Sequence, residues 1–424
     1  METLAQQVDQ YLCENKARWV QLGKTLQGMP EIGFCEHETG AYVERFFKEL
    51  GLEPSQAVVT GRIATLRGRS HDVTVALEGE LDAIYCPDHP MANPETGLAH
   101  ACGHNIQITA LLAVAQALKE TRAMARLDGD VRLIAVPAEE CIPAPLLDML
   151  QKNGAIALDS GKKELIRLNL LEGIDVVLGC HALVNDRDHP DAIMINSSCN
   201  GLAELHFTFH GQTAHSMVCP ERGVNALNAA VLAINGIQAL RESFDPQEYI
   251  RVSYNLTQGG VSLGNVPDLA QLEVVIAAKT MGALDRLRAQ VERIARCSAE
   301  ALGCTVDSKP GVSYLPYEVD MALLEQVQDC GEALTGVRPR IREHNFFSND
   351  LGNVSQMIPS AQVVFGGFQG GLHSAQFHVT DEEMAYVLPA RTLAAVIVRL
   401  LENGAGKAKA VKTHFAQTRR EGEQ

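Results

Sequence analysis

The sequence predicts an α/β protein in two parts: a main domain built on a mixed sheet, and an α+β sandwich inserted into it. Three observations carry this. Short, almost wholly apolar runs (Val73–Leu77, Val131–Val136, Val176–Leu178) alternate with helical stretches, as strands covered on both faces do. Carboxylates and imidazoles stand at the ends of those runs, where open α/β sheets gather ligands. From residue 198 the pattern changes to partly alternating strands in the order strand-helix-strand-strand-helix-strand, which predicts one antiparallel sheet with one face under two helices. The domain boundaries read 1–197 and 313–424 for the main domain and 198–312 for the insertion.

In order, residues 3–26 predict an amphipathic helix on Leu4, Val8, Leu12, Trp19, Leu22 and Leu26, broken by Gly28-Met29-Pro30. Glu36–Leu50 predicts a second helix. Val58–Leu66 and Val73–Leu77 predict strands, the second leading into Gly79-Glu80-Leu81-Asp82-Ala83. Ala110–Leu118 is a helical apolar run, preceded by His100-Ala101-Cys102-Gly103-His104-Asn105 on the loop that enters it. Val131–Val136 leads into Pro137-Ala138-Glu139-Glu140, and Val176–Leu178 into Gly179-Cys180-His181. Neighbouring residues of extended chain point in opposite directions, so Glu139 and Glu140 are expected to do different jobs.

The insertion reads as strand Leu202–Phe209, helix Val224–Arg241, strands Ile250–Thr257 and Leu272–Ala278, helix Leu284–Leu302 and strand Cys304–Lys309. After it come a helix from Met321 to Leu334, strand Ala361–Phe365, His373-Ser374, and a closing helix Thr380–Glu402. The tail from Asn403 is expected to be frayed surface.

Composition fits an ordinary globular chain: 424 residues, 46% hydrophobic, 21% charged. The net charge of −16 argues against nucleic acid or an anionic membrane as partner. Residues 1–16 hold no apolar core of a secretory signal, and no apolar run reads as long enough to span a bilayer. Eleven cysteines without framework spacing then read as reduced, cytoplasmic thiols.

Cys102 and His104 suit a borderline metal such as Zn²⁺, although alone they fit an inert buried thiol and a core histidine equally well. His206, His210, His344 and His378 read as structural, and Asn349 and Asp350 as candidates to line the site.

At this point the chain resembles the M20 metallopeptidases and amidohydrolases, on the branch of the aminoacylase-like, hippurate, auxin-conjugate and p-aminobenzoyl-glutamate amidohydrolases, near the β-alanyl-dipeptidase-like members. The resemblance rests on Pro30-Glu31-Ile32-Gly33-Phe34, Gly79–Ala83, His100–Asn105, Pro137–Glu140, Gly211-Gln212-Thr213-Ala214-His215, Asn265-Val266-Pro267-Asp268 and His373-Ser374, in that order. It implies a zinc-exopeptidase-like catalytic domain with an inserted lid/dimerisation domain, forming a homodimer through an edge strand or helix face. It implies two divalent ions (Zn, Mn, Co or Ni) on Cys102, His104, Glu140, His181 and His373, and Glu139 as general base. Asp82 would steady a ligand imidazole, His215 would reach the partner copy's site, and Asn265 would hold a substrate carboxylate. Three positions depart from the usual pattern: Met29, Asn105, and Ala277 where an arginine is usual, with Lys279 the nearest cation.

The implied chemistry is cleavage of an amide or peptide bond in a small N-acyl amino acid or dipeptide. A thiolate bridge would leave each ion three protein ligands and a shared water, whose pKa falls from ~16 toward ~7. One oxyanion donor such as His215 is worth about 3 kcal/mol. The alternatives are Cys102 as a nucleophile with His104 as base, a non-hydrolytic small-molecule or metal binder on the same fold, and a structural zinc site.

Overall fold

The structure is a computed structural model and describes residues 2–140, 142–184 and 192–422. The chain packs as two compact units, one of Met1–Ser197, Glu318–Glu343 and Asn353–Gln424, the other of Ser198–Tyr317 and His344–Gly352. The second unit thus takes in 313–317 and 344–352, beyond the 198–312 read from the sequence. Its last strand stays paired as far as Tyr314, opposite Leu202, which carries the boundary outward.

The first unit is built on a nine-stranded mixed sheet. Its order is Ser55–Ala57, Gly61–Leu66, Asp130–Val136, Thr74–Glu80, Val176–Val184, Ser360–Gln369, Ile193–Asn196 and Arg340–Arg342, with His378–Val379 also paired to Ser360–Gln369. The four central strands run parallel. Thr74–Glu80 is buried at every position, as the apolar run through Leu77 predicts, and its carboxylates Glu78 and Glu80 are buried with it. The third of the predicted strands does not stop at Leu178. Ser360–Gln369 pairs beside it, with Val364 opposite His181, so His181 lies within the strand rather than past its end.

Helix His104–Glu120 lies across the central strands, buried from His104 to Leu118. The predicted first helix is two, Leu4–Glu14 and Lys16–Gln27. The Asn15 side chain donates to Tyr11 O, which ends the first helix, and Trp19 Nε1 donates back to Leu12 O at 3.1 Å. The closing helix is likewise two, Glu382–Tyr386 and Leu388–Leu401. Together these match the composition of a membrane-crossing helix, but 78% of the apolar window is buried inside the protein, against the first helix and His104–Glu120, as in a core helix. The tail is not frayed: Gly406–Gly422 is helical, with Ala408 and Val411 buried, Lys412 bonded to Asp175 and His414 to Asp320. No cysteine among the described residues forms a disulfide.

The second unit is a four-stranded antiparallel sheet, ordered Arg251–Gln258, Leu269–Ala278, Gly201–His210 and Thr305–Tyr314. Leu205, Phe207, Phe209, Leu272, Val274 and Ile276 meet helices Ala226–Ala239 and Met281–Ala301 in one core. His344 sits in this unit as a neutral ring. It bonds Ser198 Oγ at 2.9 Å and Asn200 Oδ1 at 2.8 Å, and packs tilted against Tyr249 with ring centroids 4.3 Å apart. Burial, and then Lys279, hold it down at about 4. Below pH ~6.5 an unfolded chain takes up a proton that this folded ring refuses until about pH 4. Stability is therefore expected to fall between pH 6.5 and 4 by more in the wild type than in His344→Gln. Urea titrations of both at pH 7 and pH 5 check this, and equal losses would refute it.

Candidate active site

The C-terminal parts of the central strands and the turns after them converge on one cluster in the first unit. Thr74–Glu80 delivers Glu80 and then Asp82, Asp130–Val136 delivers Glu139 and Glu140, Val176–Val184 delivers His181, and the loop after Ser360–Gln369 delivers His373. Cys102 and His104 come from the entry to helix His104–Glu120. Gly103 makes that entry with φ 87°, and a Cβ there would sit 2.8 Å from the Ala182 methyl. A bond from His373 N to Ala101 O, 2.9 Å, ties the C-terminal loop to the cysteine loop.

Within the cluster, Cys102 Sγ lies 3.3 Å from His181 Nε2, whose Nδ1 is turned to Ala182 O. His104 Nδ1 faces Asp82 Oδ1 at 3.1 Å and Asp82 O at 3.0 Å, which leaves Nε2 pointing at the other donors. Around that Nε2 stand Glu80 Oε2 at 3.1 Å, Glu139 Oε2 at 3.7 Å and Glu140 Oε1 at 4.0 Å. His373 Nε2 is 3.1 Å from Glu140 Oε1. The second Asp82 oxygen accepts the Glu140 N–H at 2.9 Å, so one buried carboxylate steadies both a ring and a backbone.

Three overlapping groups could each hold a cation: Cys102 with His104 and His181, Cys102 with Glu140 and His373, and Glu80 with His104 and Glu139. The donor atoms of each lie within 4.8 Å of one another. The residues fit metal on two counts. His104 Nε2 is buried and makes no well-directed hydrogen bond, although Glu80 Oε2 stands 3.1 Å away, and a buried polar atom left so is costly. The surroundings are also rich in carboxylate: Glu80, Asp82, Glu139 and Glu140 all stand around the His104 ring, with the Lys162 ammonium on Glu80. Burial, then Glu140 and Glu139, push the Cys102 thiol well above its usual range. His104 is raised to about 10, Glu80 and Asp82 outweighing burial. The Glu140 carboxylate beside it raises His373. A thiolate with imidazoles and carboxylates suits Zn²⁺ and its neighbours.

Two residues here escaped the sequence reading. Glu80 accepts from Gln107 Nε2 at 2.6 Å and pairs through its other oxygen with Lys162 Nζ at 2.6 Å. Burial raises its pKa, but Lys162, His104 and His181 outweigh this and hold Glu80 at about 2. Lys162 is itself fully buried, on the short helix Gly161–Arg167. Glu80 was visible as a second carboxylate in its motif; nothing local marked Lys162.

The remaining candidates fall elsewhere. His100 is buried, held down to about 3 by burial and by His104, and joins none of the three groups. Asn105 turns away from the donors to give its Nδ2 hydrogen to Gly23 O at 3.2 Å, so that departure leaves the donor set untouched. His206, His210, His344 and His378 belong to no cation-holding group among the described residues. Asn349 and Asp350 are buried in the second unit.

His215 and Asn265 are also in the second unit, facing each other across an isolated bridge between two exposed loops. The His215 Nδ1 accepts the Met217 and Val218 N–H groups, both at 3.3 Å, so the neutral ring carries its hydrogen on Nε2. Ala277 is paired with Arg251, whose guanidinium lies 3.7 Å over the Phe346 ring, and Lys279 lies 5.3 Å over Tyr249. Two cations therefore flank the position where an arginine was expected.

The chain is similar to known proteins along nearly its whole length. It is 24% identical over 397 residues to the N-acetylcysteine deacetylase of Bacillus subtilis strain 168, covering 91% of this chain and 97% of that one. It is 26% identical over 427 residues to the Xaa-Arg dipeptidase of Mus musculus, covering 95% and 89%. Its fold matches the Bacillus subtilis YXEP protein, described as a dinuclear metal binding peptidase, with a TM-score of 0.71 at 22% identity, covering 91% of this chain and 98% of that one. Residues 74–403, which span every donor from Glu80 to His373, match the description of peptidase family M20/M25/M40. The chain belongs to that family and is one of its metal-dependent hydrolases.

Proposed function

We propose that the protein is a two-metal hydrolase that cleaves an amide or peptide bond in a small N-acyl amino acid or dipeptide, with Glu139 as general base. The observation that carries this is the sharing of Cys102 between two donor triplets, with the Glu139 carboxylate beside them. Cys102, His104, Glu140, His181 and His373 would hold the ions, which are Zn, Mn, Co or Ni by donor type. Bound there, two dications would make a shared water acidic enough to attack at neutral pH. Asp82 holds the His104 ring with Nε2 toward the ions. Glu139 takes the proton of the attacking water and returns it to the leaving amine.

His215 serves the site of a second copy, its Nε2–H offered to the developing oxyanion, and Asn265 holds the substrate's terminal carboxylate. The support is the position of both on exposed loops, and the ring tautomer of His215. The protein acts as a cytoplasmic homodimer. The similarity to a deacetylase of an N-acyl amino acid and to a dipeptidase favours small amides as substrates. A non-hydrolytic binder would have no use for Glu139, and Cys102 as nucleophile would leave the glutamates Glu139 and Glu140 without a task.

A panel of N-acyl amino acids and dipeptides, run on metal-loaded protein, is expected to show hydrolysis that chelator abolishes and added metal restores, with the fold intact throughout. Hydrolysis that survives exhaustive chelation but dies with a thiol alkylator would overturn the two-metal proposal. Light scattering on the same sample is expected to give twice the mass of one chain; a monomer would remove the role given to His215.

A further inference from the structure

Glu36 is fully buried, pairs with no cation among the described residues, and takes no part in the reaction proposed for Glu139. Its place is nonetheless specific. Its Oε1 accepts the Ala138 N–H at 2.7 Å, and its Oε2 accepts the Thr60 hydroxyl. Ala138 directly precedes Glu139 and Glu140 and has φ 48°, a left-handed backbone that a residue with a Cβ rarely adopts. Such a conformation persists only where the surroundings dictate it.

Here they do so from several sides. The Gly161 N–H donates to Ala138 O at 2.9 Å. Gly33 lies against the Ala138 methyl, so closely that a Cβ on Gly33 would sit 2.8 Å from it. Two residues further on, the Glu140 N–H is held by Asp82. The segment carrying both glutamates is thus pinned at alternate N–H groups by two buried carboxyl groups, Glu36 and Asp82. Burial, then the nearby Asp82 charge, raise Glu36 to about 8. A carboxyl buried this deeply beside another carboxylate is an expensive way to fill a core.

We infer that Glu36 is a positioning residue for the general base: by bonding the Ala138 N–H it fixes the left-handed turn that aims Glu139 at the reacting water. This rests on Glu139 being the base, and the test separates the two. An error near 1 Å in such a group costs roughly 10²-fold in rate. For Glu36→Ala, kcat is expected to fall about 30-fold, with KM and metal content within about twofold of wild type. In Glu36→Gln the side-chain carbonyl still accepts the Ala138 N–H, and kcat is expected to recover to within about threefold of wild type. A merely structural carboxyl would give neither the kcat-only loss nor the rescue.

Glu139→Gln is measured alongside. If it retains turnover, the assignment of the base fails; if it is inactive while Glu36→Ala keeps full kcat, only the role of Glu36 fails. That role is equally overturned if Glu36→Gln is as impaired as Glu36→Ala, or if Glu36→Ala loses metal. Should Glu36→Ala not fold, Thr60→Val loosens the same clamp from its other oxygen. That variant is expected to lose about three- to tenfold in kcat, and wild-type kcat in the folded variant would overturn the inference.

Discussion

Glu139→Gln is expected to lower kcat by on the order of 10³-fold while leaving metal binding intact. The amide keeps the shape and the burial of the side chain but cannot accept the proton of the attacking water. Metal content is expected to hold because neither triplet that contains Cys102 includes Glu139. The third group, Glu80 with His104 and Glu139, makes this a demanding comparison. Elemental analysis beside kcat and KM checks it. Unchanged turnover would reject Glu139 as base, and loss of metal together with turnover would make Glu139 a ligand instead.

Cys102→Ala is expected to be the most damaging substitution for the metal centre. Its sulfur belongs to both the His104–His181 triplet and the Glu140–His373 triplet. Truncation therefore removes a donor from two ions at once, and hydrolysis is expected to fall to background. His181→Ala and His373→Ala each take a donor from only one triplet. Elemental analysis is expected to show two ions per chain for wild type, close to one for each histidine variant, and less than one for Cys102→Ala. Two ions retained by folded Cys102→Ala would show that the sulfur does not bridge.

Much of this centre was legible in the sequence because its chemistry is concentrated. Cys102, His104, Asp82, Glu139, Glu140 and His373 sit in short motifs at turns, and donor-rich turns after apolar strands are conspicuous. The extent of the sheet was less so. His181 reads as lying past a strand because the apolar run pauses at Gly179, whereas strand length is decided by the partner, here Ser360–Gln369. Lys162 and Glu36 were not legible at all. Each owes its role to a contact made across the fold, Lys162 with Glu80 and Glu36 with Ala138. On the chain alone, either reads as one more solvated charge. The helical tail hid for the opposite reason: its few buried small residues give a weak apolar signal among many lysines and arginines.

The strand Ser360–Gln369 stands third from the end of the main sheet's order, between Val176–Val184 and Ile193–Asn196, both made well before the insertion. On the ribosome, the nascent chain must therefore hold Val176–Val184 with an open flank until translation has passed the whole insertion. A product ending before residue 360 would lack a middle strand and His373 alike, and would expose an unpaired parallel edge, the kind of surface on which chains stick to one another.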